Sequence, residues 1–211
     1  MAPNFDLEIA AGGKSGRCVV GIDEAGRGPW AGPVVAAAVH IDIDRAPESL
    51  LAQLDDSKRL SAALRRRLFQ EMTASSAVIT ALGQASVAEI DRLNILQASL
   101  LAMARAAAAL PLQPDRALVD GRQVPALACP AEAVVKGDGR SLSIAAASIC
   151  AKVTRDGLMA ALAERHPGYG WARNQGYGTR EHRDGLARLG VTPHHRRSFA
   201  PIRAALESAR G

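Results

Sequence analysis

Aromatic side chains make up only 3% of this 211-residue chain, and its three cysteines, Cys18, Cys129 and Cys150, lie far apart. An odd number without paired spacing excludes a disulfide framework and the common zinc-binding patterns, so these thiols are read as reduced and buried. No apolar run is long enough to span a bilayer. The N-terminal stretch MAPNFDLEIAAGGKSG has acidic residues where a secretion signal would have a basic start and an apolar centre. There is no internal repeat. These absences lead us to expect a soluble, cytoplasmic protein without a membrane partner.

What is present is ample apolar material. Hydrophobic residues reach 48% and charged residues 22%, enough to bury a substantial core and to exclude disorder. A net charge of +5 favours an anionic partner. The expected organisation is a flexible extension over 1–17 and one domain over 18–211, whose segment 167–211 forms a small C-terminal helical annex.

Apolar runs alternate in character along the chain. RCVVGID and GPVVAAAVHI read as neighbouring strands, AALRRRLFQEMTA as a helix and AVITALGQAS as a strand. Ser86 and Glu89 have capping-box spacing and open a helical stretch predicted to continue to Pro111. RALVDG and EAVVKGDG are short strands, each closing on an aspartate beside glycine. They precede LSIAAASICAKVTRDGLMAALAERH, a long helix whose small residues allow close approach to a sheet. A short helix is expected between Thr179 and Leu189. The alternation predicts an α/β fold with a mixed sheet flanked by helices.

Four acidic residues, Asp23, Glu24, Asp120 and Asp138, fall at or just beyond predicted strand ends, where α/β folds assemble sites. A single aspartate before glycine is usually a turn former, but the adjacent Asp23-Glu24 pair at the end of an apolar strand needs a compensating cation. Carboxylates without neighbouring histidine or cysteine suit magnesium or manganese. The GRGP turn that follows combines glycines, which let a backbone approach a ligand, with Arg27, whose fork of donors suits phosphate. Ser148, Lys152 and Asp156 share a helix face; Asp156 is held in reserve as a metal carboxylate. In the tail, Tyr169, Trp171 and Tyr177 interleave with Arg173 and Arg180, a pattern suited to stacking on bases or sugars, and HHRR at 194–197 reads as a phosphate-binding patch. This tail looks more like a binding surface than a second core.

Taken together, GIDEAGRGP, LDDSKRLS, LNILQAS, LVDG, VVKGD, IAAASICAKVTRD, GYGTREH and TPHHRRSF, in this order from about Cys18 to Ile202, resemble the motifs of bacterial ribonuclease HII. The resemblance implies an RNase H-like fold and an endonuclease that cuts the RNA strand of RNA-DNA hybrids and incises 5′ of single ribonucleotides in duplex DNA; a monomer is the default expectation. It implies two divalent cations, Mg2+ or Mn2+, held by Asp23, Glu24, Asp120 and Asp138, with Asp23 the candidate to bridge both. Gly26, Arg27 and Gly28 match the loop that recognises the 2′-hydroxyl, and Tyr177 the tyrosine that packs on the sugar across the junction. Ser148, Lys152, Thr179, Arg180 and Arg196 complete the expected substrate contacts. Where many members carry His-Lys before GYPT, this chain has Asn174-Gln175 before GYGT, so one lysine contact to phosphate is missing and Gly178 replaces a proline.

Overall fold

The computed structural model describes residues 2–208. In chain order the helices are α1 (Asp6–Ala10), α2 (Glu48–Leu51), α3 (Ala62–Ala74), α4 (Val87–Leu93), α5 (Ile95–Ala108), α6 (Leu142–Arg165), α7 (Trp171–Asn174), α8 (Arg180–Leu189) and α9 (Ala200–Ser208). The strands are β1 (Val19–Ala25), β2 (Val34–Ile41), β3 (Val78–Ala85), β4 (Arg116–Asp120) and β5 (Ala131–Val134), in the spatial order β3-β2-β1-β4-β5. β2 runs antiparallel to both β1 and β3, whereas β1, β4 and β5 are parallel. The expected mixed sheet is therefore present.

The sheet is buried on both faces because side chains alternate along each strand. Val20, Ile22, Ala36 and Ala38 face α4 and α5, while Ala37 and Val39 face α6 and α3. The alanines of β2 and α6 leave so little space that a Cβ on Gly21 of β1 would lie 2.2 Å from the carbonyl carbon of Ser143. Glycine is thus required where the long helix meets the central strand. The close approach sets the distance between the two elements that carry much of the site.

Three expectations are corrected. The helix foreseen from Ser86 to Pro111 breaks at Asn94 (φ 73°), whose side-chain oxygen accepts from the amides of Leu96 and Gln97 and so caps α5 afresh. The capping box of Ser86 and Glu89 does open α4. Residues 2–17 are not a loose extension: Glu8 is buried, and its Oε1 accepts from Ser141 Oγ (2.6 Å), Ser143 Oγ (2.7 Å) and Ser143 N (2.9 Å) at the start of α6. Finally, the tail builds a hydrophobic cluster of its own from Ala31, Met159, Leu162, Tyr169, Trp171, Leu186 and Ile202. Trp171 is fully buried and stacks on Tyr169 with ring centroids 4.9 Å apart, so neither ring is available to a base. The last three residues of the expected domain, 209–211, lie outside the described residues.

Candidate active site

The four acids come to one end of the sheet from two strands and a turn. Asp23 and Glu24 are consecutive in β1 and so start on opposite faces; Asp23 turns toward α6, and Glu24 borders a hollow lined by Leu96, Ser99 and Met103 of α5. Asp120 ends the parallel neighbour β4, one residue past the paired Ile22 and Val119, and its Oδ1 accepts the Gly137 amide at 2.7 Å. That bond ties it to the tight turn carrying Asp138, which is itself buried.

The electrostatics of this cluster are unfavourable on its own. Burial, then the nearby charges of Glu24 and Asp120, hold the Asp23 carboxyl well above the usual carboxylate range. Burial also raises Glu24, opposed by Arg27 at 3.3 Å and reinforced by Asp120. Asp138 is raised by burial and by Asp56 and Asp120, against Lys58, whose Nζ stands 3.6 Å away. One oxygen, Glu24 Oε2, is buried with no hydrogen-bond partner at all. An orphaned carboxylate oxygen among like charges calls for a positive ligand, and an all-oxygen set fits a hard divalent cation. Among the described residues, no three such side chains close on one point as a finished metal shell. The donor set therefore suits an ion that keeps water and takes oxygens from its substrate.

A cavity of about 320 Å3 opens over the acids. Asp23, Glu24 and Asp120 line it together with Gly26, Arg27 and Gly28 of the loop, Tyr177, Ser57 and Lys58, and Ser148, Lys152 and Arg155 of α6. Gly28 abuts Tyr177, since a Cβ there would be 3.2 Å from the Tyr177 ring, and that ring is half exposed. A larger apolar cleft of about 570 Å3, lined by Leu186, Val191 and Leu206 among others, has no carboxylate and lies away from this chemistry.

Of the other residues expected to meet substrate, Ser148 and Lys152 line the cavity. Ser148 shares a 2.9 Å hydrogen bond with Ser57, and Lys152 donates to Asp156 at 2.7 Å. Asp156, with Arg65 also 4.0 Å away, serves here as a counter-ion and does not line the cavity. Thr179 caps α8 by accepting the His182 amide, and Arg180 is exposed beside Asp184; neither lines the cavity. Arg196 is corrected outright: it is fully buried and donates to the carbonyls of Gly26, Arg27, Gly32 and Pro33, so it touches the loop from behind. His195 is buried too, so only His194 and Arg197 of HHRR reach the surface.

Where the lysine contact is missing, Asn174 is buried and locks the turn, donating to Tyr169 O and accepting from Gly176 N at 2.9 Å. Gly178 is explained by Trp30, whose ring would lie 2.0 Å from a Cβ at that position. Sequence reasoning missed Ser57, Lys58 and Arg155. The LDDSKRLS motif flagged the first two, but nothing in it said that the loop between α2 and α3 would reach Asp138.

A family model described as Ribonuclease HII matches residues 20–202, the span that carries every element of this site. The chain belongs to the ribonuclease HII family. A Ribonuclease HII of Rhodospirillum rubrum is 64% identical over 204 residues, covering 97% of this chain and 92% of that one. The crystal structure of ribonuclease H2 from Pyrococcus horikoshii superposes with a TM-score of 0.75 at 27% identity, covering 91% and 98% of the two chains. The ribonuclease HII of Archaeoglobus fulgidus, solved in complex with PCNA, has a TM-score of 0.69 at 28% identity, covering 85% and 93%. The chain is accordingly a type 2 ribonuclease H, a hydrolase that acts as an endonuclease on the RNA of RNA-DNA hybrids, and its fold is the RNase H type.

Proposed function

We propose that this ribonuclease HII also incises duplex DNA 5′ of a single embedded ribonucleotide, using two divalent cations, Mg2+ or Mn2+, and leaving 5′-phosphate and 3′-hydroxyl ends. The observation that carries the reading is the cluster of four carboxylates, Asp23 and Asp138 buried and Glu24 and Asp120 partly so, with its orphaned Glu24 Oε2, beside a glycine loop and a half-exposed tyrosine. Asp23, Glu24, Asp120 and Asp138 would hold the cations. Bound there, such ions supply Lewis acidity at a phosphate and lower the pKa of an attacking water.

The chain's own groups do the rest. Lys58 and Lys152 border the cavity and offer ammonium donors to the phosphates on either side of the cut. Arg27 opposes Glu24, half exposed, and its free donors face the incoming backbone. The loop amides discriminate ribose through its 2′-oxygen, because a deoxyribose leaves them unpaired. Tyr177 presents a flat face on the other side of Gly28, suited to a sugar without a 2′-hydroxyl. A junction is thereby read twice. The test is incubation with Mg2+ or Mn2+ and a labelled DNA duplex holding one ribonucleotide, beside an all-DNA control. Incision 5′ of the ribonucleotide is expected; no incision with either metal by folded protein refutes the reading.

A further inference from the structure

Two arginines lie buried behind the glycine loop with no carboxylate within ion-pair distance among the described residues. Arg155 is 1% exposed and Arg196 fully buried. Arg196 donates to Arg27 O (2.9 Å), Gly32 O (3.0 Å), Pro33 O (3.2 Å) and Gly26 O. Arg155 donates to Pro33 O (3.0 Å), Gln175 O (3.0 Å) and Ala31 O (3.1 Å). Every acceptor is a main-chain carbonyl of the two segments that wall the cavity.

Burial, and for Arg196 also the neighbouring Arg155, lowers the guanidiniums of Arg196 and Arg155 to about 9 and about 10 respectively, so both remain charged at neutral pH. Burying two like charges without an ion-paired carboxylate is costly, and it is offset by the carbonyl dipoles, by the Phe199 ring 5.2 Å from the Arg196 guanidinium, and at longer range by Asp91 and Asp156. A feature held at such cost has a use that packing does not explain.

Peptide geometry supplies that use. The peptide bonds of the described residues are trans, so a carbonyl and the N–H of the next residue point in opposite directions. With Gly26 O and Arg27 O drawn inward onto Arg196, the amides of Arg27 and Gly28 face the other way, toward the cavity that both residues line. Neither amide donates to a protein acceptor among the described residues. Gly26 itself fits this account: at φ 101°, its Cβ would lie 2.0 Å from Arg155 Nε, so glycine is demanded there by the arginine and not by a ligand.

We infer that Arg155 and Arg196 are positioning residues for substrate selection, a buried arginine clasp that turns the Arg27 and Gly28 amides outward to receive one oxygen of the substrate, the ribose 2′-oxygen. The inference rests on the proposed reading of the loop, and it places the origin of ribose selectivity behind the surface that touches ribose. Arginine is required for its fork: a lysine keeps the charge but cannot hold several diverging carbonyls at once.

The experiment is binding in EDTA, where no cut occurs, of fluorescent DNA duplexes with one ribonucleotide or none to the wild type, Arg196→Lys and Arg155→Lys. The readout is the ratio of the two Kd values, which a change in the folded fraction alone leaves unmoved. The wild type is expected to prefer the ribonucleotide about tenfold, and each lysine variant to fall within twofold of no preference while keeping its affinity for all-DNA duplex. A variant that retains the full preference overturns the inference, as does an equal loss on both duplexes, which would mark the arginines as general phosphate attraction. A wild type without preference overturns it as well. Should Arg196→Lys fail to fold, the ratio for Arg155→Lys decides between the same outcomes. Incision with metal is a separate measurement, so a wild type that prefers ribose yet cuts nothing sinks the proposed function and spares the clasp.

Discussion

His195 should make this fold acid-sensitive in a calculable way. Its Nδ1 accepts the Thr192 amide at 3.0 Å, so the proton of the neutral ring sits on Nε2 and is donated to His182 Nε2, also at 3.0 Å. His182 Nε2 accepts from Trp171 Nε1 as well, which leaves its Nδ1–H to donate to Tyr177 O at 3.0 Å. Protonating His195 would set N–H against N–H in a fully buried place. Burial first, then His182, His194 and His166, push its pKa down to about 3 from 6.5. Because the unfolded chain binds the proton more readily, this contribution to stability is complete above pH 6.5 and is lost as pH falls toward 3. At pH 5 the loss from His195 alone is about 2 kcal/mol, which corresponds to a fall in Tm of about 4–8 °C for a chain of this size. His182, also lowered by burial, adds to it with the same sign. The assay is thermal unfolding of the wild type and His195→Gln from pH 7.5 to 5; glutamine keeps a donor toward His182 and cannot titrate. The variant should start lower at pH 7.5 and lose several degrees less on acidification. Parallel losses in the two proteins would refute the assignment.

Asp23→Asn should abolish incision yet raise the Tm of the metal-free protein by a few degrees. The ionised carboxyl is held against burial and the charges of Glu24 and Asp120, so its cost is felt as pH rises; melting in EDTA at pH 7.5 checks the sign, and a lower Tm contradicts it. Tyr177→Ala should cut a single-ribonucleotide duplex at least tenfold more poorly relative to an all-RNA hybrid strand, measured as the ratio of kcat/KM values; an equal loss on both denies the tyrosine its junction role. Glu8→Ala should destabilise the fold by about 2–4 kcal/mol, since it removes the acceptor for three donors at the start of α6; urea unfolding measures this.

Strand ends carrying acids were legible because a carboxylate that closes an apolar run beside a glycine marks the edge of a sheet and needs compensation there, and β1, β4 and the turn after β5 meet that description. The break at Asn94 was not, because the apolar period of α4 continues into α5 and only a left-handed backbone separates them. Glu8 gave no signal for a different reason: its hydroxyl and amide partners stand more than 130 positions away. Arg155 and Arg196 were hidden most thoroughly. A sequence presents arginine as surface charge, and only the fold brings together the carbonyls that let it be buried.

The contacts of Arg196 span 163 to 170 residues of chain. Loops of this length cost more entropy to close than the local pairing of β1 with β2. The proposed clasp thus makes a loop near the start of the chain depend on an arginine near its other end, whereas the acids of β1 and β4 are set side by side by the sheet itself.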